Sequence, residues 1–270
     1  MTFKPVAKIV YTVDQTSVVA RGLSYTHDEV SHIISGPVKD LLLDSSGISE
    51  ILNLVTSLAS TDFESAGIHN LLVDNTKPED WRVGEAIAEF HVTENNNCIF
   101  PWPTSRDLKN PNASPAGADL VGFQKTDLEV NSHRFAFGEI KTSSEAKWPP
   151  QVMYGRSGLT KQLEDLRDSA HVKGSLIRYL GYRAIDKDWA DKYKSAAKRY
   201  ISDNADVAIF GVLVRDVEPK ELDLLSRAVS LDQNCPAATT IELYALYLPE
   251  ASIAGLPDKV VAAGKSGDEK

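Results

Sequence analysis

Two short apolar runs in the middle of the chain limit what the rest of it can become. The first, Asp119-Leu-Val-Gly-Phe-Gln124, opens on a carboxylate. The second, Arg134-Phe-Ala-Phe-Gly-Glu-Ile-Lys141, closes on Glu139-Ile140-Lys141. Both have the length and composition of strands, and the segment between them reads as a hairpin connection. Side-chain alternation puts Glu139 and Lys141 on one face of the second strand and Ile140 on the other. A strand built from Phe135, Ala136, Phe137, Gly138 and Ile140 belongs in a core. Keeping a carboxylate and an ammonium there costs several kcal/mol unless they are paired or ligate a metal. A carboxylate from a neighbouring strand completes an oxygen-ligand site suited to Mg2+ or Mn2+, with the lysine beside an attacking water. The competing reading is a structural ion pair at a strand end.

Glu-x-Lys occurs three times: Glu139-Ile140-Lys141, Glu145-Ala146-Lys147 and Glu218-Pro219-Lys220. Proline in the third argues against a central strand, and the second lies in a polar segment running into Trp148-Pro149-Pro150. Only the first ends an apolar strand that has an Asp-led strand ahead of it. That arrangement resembles the signature of the PD-(D/E)xK, or restriction-endonuclease-like, nuclease superfamily. The resemblance implies that Asp119 and Glu139 ligate Mg2+ or Mn2+, with the Ile140 carbonyl as a further ligand, and that Lys141 orients or deprotonates the attacking water. It also implies a glutamate from a helix ahead of the sheet. Gly84-Glu85 in Trp81-Arg-Val-Gly-Glu-Ala-Ile-Ala-Glu-Phe-His-Val92 looks like that element, so Glu85 is the first choice and Glu89 the second. The two are four residues apart and share a helix face; an exposed pair of acids is the plainer alternative.

A net charge of −9 argues superficially against a polyanionic substrate. The charge is unevenly spread, however: residues 141–200 carry 13 Lys and Arg against 7 Asp and Glu. A locally basic face can bind phosphates on an acidic protein. Within this block Lys194, Lys198 and Arg199 are candidates for phosphate contact, a solvated helix face being the alternative. Lys161 and Gln162 begin the helix after the motif, where related nucleases place a polar or basic residue facing the scissile phosphate. Cys98 and Cys235 are too few for a zinc site and read as buried thiols. His27, His32 and His69 show no ligand spacing. Gly264-Lys265-Ser266 lacks the upstream glycine of a phosphate-binding loop, so no nucleotide cofactor is expected. No leader or membrane span is read from the sequence, and a cytoplasmic location is expected.

Taken in order, residues 6–25 read as a hairpin turning at Asp14-Gln15. Ile48, Ile51, Leu52, Val55, Leu58 and Ala59 recur at helical spacing. Residues 1–77 are expected to form an α+β accessory region, 78–261 a nuclease domain and 262–270 a polar tail. From 78 the expected order is helix, short strand, strand, strand, helix, more helix, strand, helix and strand, with a buried strand over 205–214, a helix over 219–229 and a strand over 241–248. This predicts an α/β (α+β) fold with a mixed sheet flanked by helices; the resemblance supplies the restriction-endonuclease-like core. Size and layout are also similar to the HamA- and AbpA-like nuclease subunits of bacterial anti-phage systems, which implies DNA as substrate and a helicase partner. The alternatives are a stand-alone restriction or repair endonuclease, or a catalytically silent interaction subunit.

Overall fold

The computed structural model describes residues 5–14, 16–55, 61, 64, 66–68, 76–107, 117–126 and 131–265. Its centre is a mixed seven-stranded sheet in the order β1-β2-β7-β6-β5-β4-β3. The strands are β1 (Lys8–Val13), β2 (Val19–Ser24), β3 (Cys98–Ile99), β4 (Leu120–Lys125), β5 (His133–Ser143), β6 (Val207–Arg215) and β7 (Thr240–Tyr247). The central trio β5, β6 and β7 is parallel, and β6 is buried along its whole length. That is the setting in which a continuous run such as Val-Ala-Ile-Phe-Gly-Val-Leu-Val is stable. The β4–β5 and β1–β2 pairs are antiparallel, as their short connections require. β2 pairs with β7 in parallel, so the N-terminal hairpin continues the same sheet.

Helices cover both faces. The first is α1 (His27–Ile33), followed by a π turn (Ile34–Val38), α2 (Lys39–Leu43) and α3 (Ser45–Val55). Then come α4 (Asp80–Asn95), α5 (Leu159–Asp168), α6 (Ala170–Ala184), α7 (Ala190–Ser202), α8 (Leu225–Asp232) and α9 (Leu256–Lys265). One core joins Phe123, Phe135, Phe137, Ile209 and Leu213 of the sheet to Leu163, Leu180, Ala196 and Leu231 of the helices. The opposite core joins Ala136, Ile140, Phe210 and Val212 to Ile33 and Val38, to Val83, Ile87 and Val92 of α4, and to Val260 of α9. The alternation of β5 between the two clusters follows from its period of two. None of the described helices is long and apolar enough to cross a membrane.

Several strand ends shift by a residue or two, and two expectations change by more. The helix expected over 219–229 is a 3-10 turn, Glu221–Asp223, followed by α8. Pro219 lies ahead of both, where its missing N–H costs no helical bond. The segment expected as a tail from 262 is helical through Lys265, and 266–270 lie outside the described residues. The helical expectation for Leu58 and Ala59 also falls outside them.

α4 positions the site and is seated by a glycine. A Cβ on Gly84 would overlap the Thr142 Oγ1 of β5, so the helix rests against the strand only because that atom is missing. Gly84→Ala is expected to lower unfolding free energy by about 1–3 kcal/mol through overpacking, outweighing a helix-propensity gain of about 1 kcal/mol. Adding Thr142→Ala should recover most of the loss. Denaturant unfolding of the two single variants and the double variant measures this coupling; a Gly84→Ala protein as stable as the parent would contradict the close seating.

Candidate functional site

The β4–β5 ladder sets Leu120 opposite Gly138, and the same register brings Asp119, one residue before β4, across from Glu139. Opposed residues of an antiparallel pair share a face. Asp119 is tied down by the backbone: its Oδ2 accepts the Ile140 N–H at 2.7 Å. Its carboxyl also shares a hydrogen bond with that of Glu139. Glu139 is buried, its side chain 5% exposed, and its Oε2 lies 3.8 Å from Lys141 Nζ. That oxygen has no hydrogen-bond partner. On β6 the residue facing Glu139 is Gly211; a side chain there would overrun Leu163 and Leu243.

α4 delivers the next carboxylate. With Gly84 against Thr142, Glu85 arrives at the same end of β5, fixed by Arg82 Nη1 at 2.7 Å. It senses Asp119 and Lys141 electrostatically. Burial, and then the neighbouring Asp119 charge, push the Glu85 carboxyl up to about 7. Glu139 is pushed up to about 9, mainly by burial and next by Asp119. Asp119 is raised by burial, against the pull of Lys141 and the Ile140 N–H. Glu89, one turn along α4 and half-buried, is pushed up to about 7 by burial. The site therefore holds more carboxyl groups than its two cations, Arg82 and Lys141, offset. Protons stay on some of them at neutral pH.

The donor set is all oxygen, and the buried Glu139 Oε2 lacks a partner, which fits a hard divalent cation. Among the described residues no group of three or more His, Cys, Asp or Glu side chains is already disposed around one point as a metal cage. A cation held here would have to displace the proton that Asp119 and Glu139 share, because carboxylate ligands bind deprotonated.

The remaining candidates are distributed as follows. Ile140 packs into the core on the α4 side. Lys161 is exposed and paired with Asp165 at 2.7 Å, while Gln162 beside it is half-buried with its Oε1 unpartnered. α7 lies over the beginning of β5, where His133 N–H donates to Ser195 and Phe135 meets Tyr193 and Tyr200. Glu139 lies four residues further along the strand, roughly 13 Å away at strand rise. Lys194, Lys198 and Arg199 are thus not gathered with the carboxylates. Lys194 pairs with Asp191 at 2.9 Å, and Arg199 is anchored to Asp206 at 2.6 Å. Lys198 is exposed. Of the other Glu-x-Lys pairs, Glu145 accepts the Gln151 N–H and Lys220 stacks over Trp148.

Two features escaped the sequence reading. Arg82 is the ion-pair partner of Glu85, and its i,i+3 spacing was a usable signal. Beside Asp119 there is also a cavity of about 190 Å³, walled in part by Trp102, Tyr179 and Arg183. Its walls come from segments far apart in sequence, so no local pattern announces it. In comparisons with known proteins, no family model matches the chain and no curated protein matches it in sequence.

The raised carboxyls make stability depend on pH. The folded state keeps protons that the unfolded chain, with carboxyls near 4.5, releases much earlier. Their contribution is complete below about pH 4.5 and is lost as pH rises through 7, for Glu85 and Glu89, and 9, for Glu139. In a chelating buffer, stability from this site is expected to fall between pH 6 and 9, and Glu139→Gln is expected to flatten the upper part of that fall. Thermal unfolding across the range checks it; a parent protein that gains stability toward pH 9 with the same slope as Glu139→Gln would refute the protonated cluster.

Proposed function

We propose that this protein is a metal-dependent nuclease that hydrolyses phosphodiester bonds in DNA. One observation carries the reading: Asp119, Glu139 and Lys141 meet at the end of the β4–β5 pair, and Glu85 of α4 interacts electrostatically with all three. Retaining three carboxyls at a half-buried strand end is costly for a purely structural role, since apolar residues of similar volume serve packing as well or better. Bound Mg2+ or Mn2+ neutralises the phosphate and makes a water acidic enough to attack at neutral pH.

Asp119 and Glu139 would hold the cation, and the Ile140 carbonyl and Glu85 would complete the oxygen set. The Ile140 N–H fixes the rotation of the Asp119 carboxylate, so its second oxygen has a set direction. Lys141, on the same strand face as Glu139, orients the attacking water through its ammonium. Arg82 holds Glu85 in position, and the cation replaces the protons that this crowd of acids otherwise retains. The basic balance of residues 141–200 supports a polyanionic substrate.

Beyond the chemistry, the layout of an N-terminal α+β region followed by this site supports a cytoplasmic effector of a bacterial anti-phage system acting with a helicase partner. That assignment rests on the resemblance of Gly84-Glu85, Asp119 and Glu139-Ile140-Lys141 to such nuclease subunits.

Incubating the purified protein with supercoiled, linear and single-stranded DNA and with RNA, in Mg2+, Mn2+ or chelator, tests the proposal. Cleavage requiring the cation is expected, with a loss of at least about a hundredfold in Glu139→Gln and in Lys141→Ala. Glu145→Ala with Lys147→Ala should remain active. Unchanged cleavage by both motif variants would remove the assignment.

A further inference from the structure

The cavity beside Asp119 shares Glu89, Thr104 and Asp119 with the smaller cleft that contains Arg82 and Glu85. Asp119 of the carboxylate site and Glu89 therefore border both spaces. Phe100, Trp102, Val121 and Leu176 give the cavity an apolar lining. One wall is a set of polar side chains gathered around Asp107. Asp107 accepts from Trp102 Nε1 at 3.3 Å, from Tyr179 OH at 2.5 Å and from Arg183 Nη2 at 2.5 Å. The Arg183 guanidinium lies 3.7 Å from the Tyr179 ring centroid and 5.4 Å from that of Trp102. Its Nε is buried and has no hydrogen-bond partner.

The occupant that suits these walls is flat, largely uncharged and able to accept a hydrogen bond at its edge. A volume of about 190 Å³ is roomy enough for a planar heterocycle. A phosphate is disfavoured, because Glu89 and Asp119 line the same space and Asp107 has already taken up the Arg183 charge.

We propose that this cavity receives one unpaired nucleobase of the substrate, next to the phosphate that a cation at Asp119 and Glu139 would bind. This rests on the nuclease reading and deepens it. A base inside a duplex is already stacked and paired, and moving it here costs that pairing. The site therefore selects single-stranded or frayed nucleic acid over an intact duplex. Stacking on aromatic and guanidinium faces tolerates any base, so the selection is for strandedness rather than sequence.

The test is a set of short single strands, in DNA and RNA versions, each with one abasic position, bound to the full chain in Ca2+. Wild-type protein is expected to bind about tenfold more weakly when one particular position is abasic, and to bind the matching duplex more weakly than the single strand. Trp102→Ala, which opens the wall, and Val121→Phe, which fills the cavity, should each erase the position dependence; melting temperatures report whether each variant is folded. Strands that are bound in Ca2+ and cut in Mg2+, but with uniform affinity along the abasic series, overturn the base pocket and leave the nuclease reading standing. A folded variant that keeps the wild-type abasic profile overturns the assignment to this cavity. Failure of every oligonucleotide to bind overturns both readings.

Discussion

The bond from the Ile140 N–H to Asp119 is the contact on which the candidate site depends. It joins the residue just before β4 to the last buried residue of β5, and it fixes one carboxylate beside another in a place that would otherwise repel both. Everything nearby can be read as accommodation of that pair. Gly211 keeps the facing strand bare so that Leu163 can pack close. Gly84 lets α4 approach Thr142 closely enough for Glu85 to reach the same strand end. Arg82 and Lys141 offset part of the charge, and retained protons offset the rest.

The energetic balance points the same way. Burying an acid without full compensation costs several kcal/mol, and Glu139 retains a buried oxygen with no hydrogen-bond partner, Lys141 Nζ standing 3.8 Å away. The sheet can bear this because the middle of β5 and most of β6 are apolar, with Phe135 and Phe137 on one face and Ala136 and Ile140 on the other. A stable scaffold carrying a locally unfavourable cluster is a common arrangement for a functional centre. The aromatic cavity next to it has a different composition: away from Glu89 and Asp119 its polar wall is Asp107, which accepts from three donors, set among apolar side chains.

Much of this was legible in the sequence where a local period decides the structure. The strands holding Asp119 and Glu139, the helix holding Glu85 and the buried strand β6 follow from apolar spacing alone. The Thr26-x-x-Glu29 capping box that starts α1, with Thr26 N–H donating to Glu29 at 2.7 Å, was a usable local signal that the sequence reading passed over. Strand order was not legible: nothing local shows that β2 pairs with β7, because parallel partners are joined by long crossovers. Charge runs were equally silent about direction. Arg199 faces the protein, held by Asp206, while Lys198 beside it faces solvent. The half-buried state of Glu85 and Glu89, which distinguishes a site from a solvated helix face, depends on loops and strands that periodicity does not report.

The central claim is that Asp119 and Glu139 exchange their retained proton for a divalent cation. Calorimetric titration of the chelator-stripped protein with Mn2+, at pH 6 and pH 8 and in buffers of different ionisation enthalpy, measures affinity and proton release together. The account predicts tighter binding at pH 8, net proton release on binding at pH 6, and loss of both affinity and proton release in Glu139→Gln. Binding with no proton release, or with the same affinity in Glu139→Gln as in the parent, would contradict it.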